Sequence, residues 1–132
     1  MRARTGLVTP APGAPHVEQV GWGVARQVVR VLREHGVEDP DQVLDRLPEM
    51  AETDGFVAYA VFDRRMATAA ALVRLPDDGE VAVCLGDVVA AEARPGTRQA
   101  LVVRALHDVA NAGVTWLEVP EQREDLTPLG FE

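Results

Sequence analysis

The 132-residue sequence contains no lysine, no isoleucine and only one cysteine, Cys84. A lone cysteine excludes an internal disulfide. No Cys/His cluster has metal-ligand spacing either, so the expectation is a reducing, cytoplasmic setting and no structural metal. All 13 basic side chains are arginine, the bias of a GC-rich coding sequence such as those of actinobacteria or their phages. Aromatics make up 5% of the residues against 47% hydrophobic, so the core must be built mostly from Val, Leu and Ala. No run approaches the roughly 18 apolar residues of a bilayer span, which argues against a membrane protein. The opening MRARTGLVTPAPGAPH lacks the apolar stretch of a signal peptide. A formal net charge of −8 opposes attraction to nucleic acid or anionic lipid, which needs clustered cations. Acidic residues crowd positions 38–54 and 118–132 and are read as solvated helix and loop faces.

What remains is the pattern of a single α/β domain over residues 17–132, preceded by an extended proline-rich arm over 1–16. Val17, Val20, Val24, Val28, Val31 and Leu32 recur every three or four positions, and Gly36 follows as a stop signal, which predicts an amphipathic helix. Asp39-Pro40-Asp41-Gln42 offers an N-cap acid, a proline at the first helical position and a glutamine at the third. A second, shorter helix through about Leu47 is predicted, ended by Pro48. The period then changes to that of strands. FVAYAVFD at 56–63, the run at 66–75 and EVAVCLGDVVAA at 80–91 predict a three-strand meander, with a bulge or bend at Gly86-Asp87. A helix over 97–112 carries the stripe Leu101, Val102, Ala105, Leu106 and Val109, with Thr97 as its expected cap and Gly113 closing it. The strand VTWLEV at 114–119 completes a β-α-β crossover.

Two helices, a meander, then turn, helix, strand and a closing LTPLGFE resemble the GNAT superfamily of acyl-CoA N-acyltransferases, most clearly over residues 56–132. The resemblance implies a mixed sheet in which the strand ending VVAAEAR leads to a phosphate-binding turn of the form Arg/Gln-x-x-Gly-x-Gly/Ala. In such a turn, backbone N–H groups at a helix start face the CoA pyrophosphate. On this chain the turn falls at Arg94, Gly96, Thr97, Arg98 and Gln99, which are the candidate cofactor-binding residues. With Arg94 in the lead, Thr97 and Gln99 stand at the two small positions; with Gly96 as the first glycine, Ala93 leads and Arg98 replaces the second. Arginines pair bidentately with phosphate and offer a second way to hold it.

The resemblance also implies a base near the central strands, for which Asp87 and Glu92 are the candidates, and a tyrosine after the strand WLEV. The segment EQREDLTPLGFE has no tyrosine, and Tyr59, the only one, lies in the first meander strand as a packing residue. Cys84 in an apolar strand reads as a small core residue, and His16, His35 and His107 have no nucleophile beside them. Trp22 and Trp116 read as core residues, with an interface role as the alternative. The chain stops where the family continues into a terminal hairpin, so the arm or a partner chain is expected to cover the sheet edge.

Two readings stand. In the first, a GNAT-like fold has lost acyl-CoA catalysis, holds no cofactor and serves as a structural or interaction subunit with a protein partner or as a homo-oligomer. In the second, a small divergent N-acetyltransferase moves an acetyl group from acetyl-CoA to an amine.

Overall fold

Strands Phe56–Asp63 (β3), Met66–Arg74 (β4) and Val81–Val89 (β5) pair antiparallel in sequence order, as their β-branched and aromatic residues and the turns between them predict. The computed structural model describes residues 1–6 and 10–132. Ahead of the meander lie β1 (Arg2–Arg4), β2 (Val17–Val20), α1 (Trp22–Glu34) and α2 (Val43–Met50). After it come α3 (Thr97–Asn111), β6 (Trp116–Glu118) and a 3-10 helix at Glu124–Leu129. The six strands form one sheet in the order β1-β6-β5-β4-β3-β2, in which only the β5–β6 pair is parallel. Helix α3 supplies the crossover that a parallel pair requires.

Helices cover both faces. On one, Leu101, Leu106 and Val109 of α3 pack with Tyr59, Val73 and Leu117 of the sheet. On the other, Ala25, Val28 and Leu32 of α1 join Leu44 and Leu47 of α2 over Ala58, Ala70 and Leu72. Every residue of β4 from Ala67 to Val73 is therefore buried, and its many alanines let both helical layers approach closely. Among the described residues no helix is long and apolar enough to cross a membrane.

Both sheet edges are set by the N-terminal third of the chain. Strand β1 pairs antiparallel with β6, matching Ala3 to Leu117, and on its far side Arg2 exchanges backbone hydrogen bonds of 3.0 Å with Glu132 in both directions. The edge expected to need cover is covered by these residues of the arm and by the chain's last residue. Thr5 then anchors the arm to the carbonyls of Val114 and Thr115.

Three local expectations are corrected. Val17–Val20 is not the start of a helix but edge strand β2, and Gly21 separates it from α1. The two segments meet so that the apolar spacing runs on unbroken across the boundary, yet the buried stripe of α1 is Ala25, Val28, Val29 and Leu32, leaving Val24 exposed. Helix α2 begins at Val43, after Gln42 in a left-handed conformation, and it runs through Pro48 to Met50. The cap position falls at Gln42 instead of the expected Asp39, whose carboxylate nevertheless accepts from the amides of Val43 at 2.8 Å and Leu44 at 2.5 Å. Thr97 is the first residue of α3 rather than its cap, which is Gly96 at φ +83°. The Thr97 hydroxyl turns back and donates to the Arg94 carbonyl at 2.6 Å, tying the preceding turn together.

Candidate functional site

The site begins with an extra residue in β5. Leu72 pairs with Gly86 and Val73 with Cys84, so Leu85 bulges out of the ladder, one residue before the predicted Gly86-Asp87 bend. A glycine is required there: a Cβ on Gly86 would lie 2.4 Å from Cγ2 of Val43, where α2 presses on the bulge. Strand β6 accompanies only the first part of β5, from Val81↔Trp116 to Val83↔Glu118. Beyond that point Val119 donates to the Met1 carbonyl at 2.8 Å, so the path of β6 follows β1 while β5 bends away. The parallel pair therefore splits.

The split is nearly filled. Arg123, which follows β6, reaches across it to Asp87 at 2.8 Å, with both side chains about nine-tenths buried. Arg98, in the first turn of α3, approaches the other oxygen of the same carboxylate at 3.4 Å. Arg123 also grips Asp125 through two contacts of 3.3 and 2.9 Å. Only about 60 Å³ of space remains, lined by Cys84, Gly86, Asp87, Val119, Pro120 and Arg123 among others. Burial opposes the charge on Arg123, but the hydrogen bonds and charges of Asp125 and Asp87 outweigh it and hold its pKa above the ordinary arginine value. The hydrogen bond from Arg123 in turn holds Asp125 below the usual carboxylate range, against the weaker effect of desolvation.

Helix α3 starts beside this network. Its opening turn satisfies few donors: the Thr97 amide bonds the Arg94 carbonyl at 3.2 Å, while the amides of Gly96, Arg98 and Gln99 have no acceptor among the described residues. Exposed amides at a helix start favour an anion. Behind the turn, the proline-rich arm lies along α3, and Arg94 donates to the Gly13 carbonyl at 3.4 Å. A cavity of about 840 Å³ opens between arm and helix, lined by Pro12, Pro15, Gly96, Gln99, Val103 and His107 among others. Its floor includes Asp108, which accepts from Tyr59 Oη at 2.9 Å and from Arg104 Nε at 2.9 Å.

The sequence candidates separate accordingly. Asp87 and Arg98 come together in the split, whereas Arg94 is spent on the arm and Gln99 donates to the Asp125 carbonyl at 2.5 Å. Glu92 lies apart and pairs with His35 at the end of α1. Asp87, a candidate base, is a buried carboxylate paired with two arginines. Cys84 is a core residue whose thiol burial pushes up to about 12, followed by the charge of Asp87. Trp22 is 41% exposed beneath Arg26 rather than in the core, and Trp116 is half-buried between Arg2 and Arg4. Arg123 was absent from the expected site. Its signal was its isolation, as the one basic residue in the acidic stretch 118–132.

No family model matches the chain, and no curated protein sequence matches it. Solved structures do. Aminoglycoside N-acetyltransferase AAC(6')-Iy in complex with CoA is 16% identical with a TM-score of 0.65, the match covering 89% of this chain and 91% of that one. A predicted acetyltransferase from Clostridium acetobutylicum with acetyl-CoA is 11% identical with a TM-score of 0.63, covering 89% of each chain. The C-terminal domain of a putative lysylphosphatidylglycerol synthetase from Agrobacterium fabrum is 16% identical with a TM-score of 0.54, and the match covers 80% of this chain but only 36% of that one. The expectation of no cofactor is corrected by these findings, because two of the neighbours hold CoA or acetyl-CoA. That expectation drew on the single glycine of the turn, the missing tyrosine and the absent final strand; the strand split and open helix start are present without them. The chain has the GNAT acetyltransferase fold, a mixed six-stranded sheet whose parallel β5–β6 pair parts beside the start of α3.

Proposed function

We propose that this chain binds a coenzyme A thioester and transfers its acyl group to an amine. The observation that carries the reading is the split between β5 and β6, placed next to a helix start whose amides at Gly96, Arg98 and Gln99 are open. The donor set suits a pyrophosphate, since open amides, a helix dipole and the Arg98 guanidinium all favour negative charge in one place. The adjoining cavity beneath the arm begins at Gly96 and Gln99 and gives the nucleotide end of such a ligand room along α3. Of the two acids considered as bases, Asp87 is the one inside the split, where it can accept a proton from an incoming amine once its arginine partners release it. When bound, the thioester supplies the activated acyl group. The net charge of −8 complements a cationic acceptor.

Isothermal titration with acetyl-CoA tests this reading, with Arg98→Glu as the control. Micromolar affinity that falls at least about tenfold in the variant is expected, from loss of one charge-assisted contact and addition of a repelling charge. No heat from the wild-type chain at millimolar acetyl-CoA would overturn it.

A further inference from the structure

Arg98 and Arg123 come from different elements, the first turn of α3 and the segment after β6, yet their guanidinium groups flank a single carboxylate. Two cations converging on one anion beside an open helix start make an anion site, and here the anion is the protein's own Asp87. We propose that Asp87 is an internal competitor for a phosphate site built by Arg98 and Arg123. On this proposal the pair Asp87–Arg123 is a latch that ligand phosphate opens, and the inference rests on the acyl-CoA reading given above.

Three features support the exchange. First, the latch stands in the space that has to open: Arg123 crosses the split, and what remains around it is about 60 Å³, too little for any acyl chain with its sulfur. Second, Arg123 has an alternative partner on its outer side. Asp125 takes its Nε and one terminal nitrogen at 3.3 and 2.9 Å and is 44% exposed, so the guanidinium is held at the mouth of the split from without as well as from within. A guanidinium tethered in this way can turn its inner nitrogen from Asp87 to a phosphate without leaving the mouth. Third, a buried ion pair pays desolvation for both partners, and a pyrophosphate, with two negative charges over its two phosphates, replaces one carboxylate with more charge if it reaches both arginines. Freed of both arginines, Asp87 would be left as an acceptor inside the opened split, so the same event that admits the ligand exposes the base.

The population arithmetic sets what to measure. If the closed latch keeps the binding-competent state a minority, apparent affinity is reduced by the competent fraction, and removing the competitor restores it. Asp87→Asn keeps the shape and removes the charge. Titrations of wild type, Asp87→Asn and Arg123→Met with acetyl-CoA, and separately with inorganic pyrophosphate, read the effect directly. Binding of both probes by Asp87→Asn on the order of tenfold tighter than wild type is expected, together with weaker binding of both by Arg123→Met. Unchanged or weaker binding by Asp87→Asn, while the wild type binds, overturns the latch and leaves the acyl-CoA reading standing. Absence of acetyl-CoA binding in all three chains overturns both. Should Asp87→Asn fail to fold, Asp87→Ser removes the same charge with a smaller side chain, and pyrophosphate binding no tighter than that of the wild type in that variant counts against the latch.

Discussion

Replacing Tyr59 with phenylalanine tests the packing between α3 and the sheet with a sign that changes with pH. The ring is fully buried and its hydroxyl donates to Asp108 at 2.9 Å, while Arg104 donates to the same carboxylate oxygen at 2.9 Å. Phenylalanine keeps the ring and leaves Asp108 its arginine, so the loss is one hydrogen bond to a charged group, about 1.5 kcal/mol at the low end of the usual range. In a chain of this length that lowers Tm by about 3–6 °C at pH 8. At high pH the balance reverses. Burial first, then the charge of Asp108 and the hydrogen bond to it, raise the Tyr59 pKa above its ordinary value of 10.0. A raised pKa gives stability that is complete below the unfolded value and is lost as pH rises through it. The wild type should therefore lose up to about 1.4 kcal/mol per pH unit above pH 10 from this group. Phenylalanine has nothing to ionise, so its deficit shrinks and the two stability curves meet near pH 11, where one pH unit of loss equals about 1.5 kcal/mol. Urea unfolding between pH 8 and 11.5, with tryptophan fluorescence as the probe, measures both. A difference that stays constant over that range would refute the burial argument, since it would mean that Tyr59 ionises equally in both states.

Gly86→Ala should cost about 2–3 kcal/mol, because its Cβ would lie 2.4 Å from Val43 Cγ2 in a fully packed contact. Adding Val43→Ala should recover part of that loss, and strict additivity in chemical denaturation would count against the clash. Cys84 should be inert in the folded chain: with its pKa pushed up to about 12, the thiolate fraction at pH 8 is on the order of 10⁻⁴. Its reaction with a disulfide reagent should be slower by about a thousandfold or more than in urea, and fast native labelling would place the thiol outside the core. Acetyl-CoA affinity should fall on the order of tenfold between 50 and 500 mM NaCl if guanidinium groups hold the phosphates, because charge pairs at a partly exposed site are screened. A Kd indifferent to salt would assign the phosphates to backbone amides instead.

Much of the fold was legible because its signals are local. The apolar, β-branched or aromatic runs at 56–63, 66–74 and 81–89, and the α3 stripe from Leu101 to Val109, are each decided by residues a few positions apart. Errors arose where a local signal ran across a boundary. Val17 and Val20 share the three-and-four spacing of Val24 and Val28, yet the first two belong to a strand paired with β3, a partner some 40 positions later. Nothing in RAR at 2–4 announces a strand either, for its identity comes from hydrogen bonds to β6 more than 110 residues away. Of the candidate site, the turn and helix α3 are contiguous and readable as local elements, whereas the Asp87–Arg123 pair spans 36 positions and joins two elements that the sequence could only place separately.

On the acyl-CoA reading, the turn at 94–99 and the arginines around it are two halves of one solution. A phosphate loop with several glycines brings the backbone close and binds through amides, which are dipoles and need no counter-charge in the empty state. This turn has one glycine, Gly96, spent on the left-handed cap, and Thr97 folded back on Arg94, so side chains must supply more of the positive field. Guanidinium groups can do so, but two of them at one split repel each other, and Arg123, about nine-tenths buried, loses hydration there. Asp87 and Asp125 answer that cost, because a carboxylate between Arg98 and Arg123 and another outside Arg123 neutralise the pair while no ligand is present. On the acyl-CoA reading proposed above, an arginine-built phosphate site brings its own internal anion with it, and the filled split and the single glycine of the turn then have one cause.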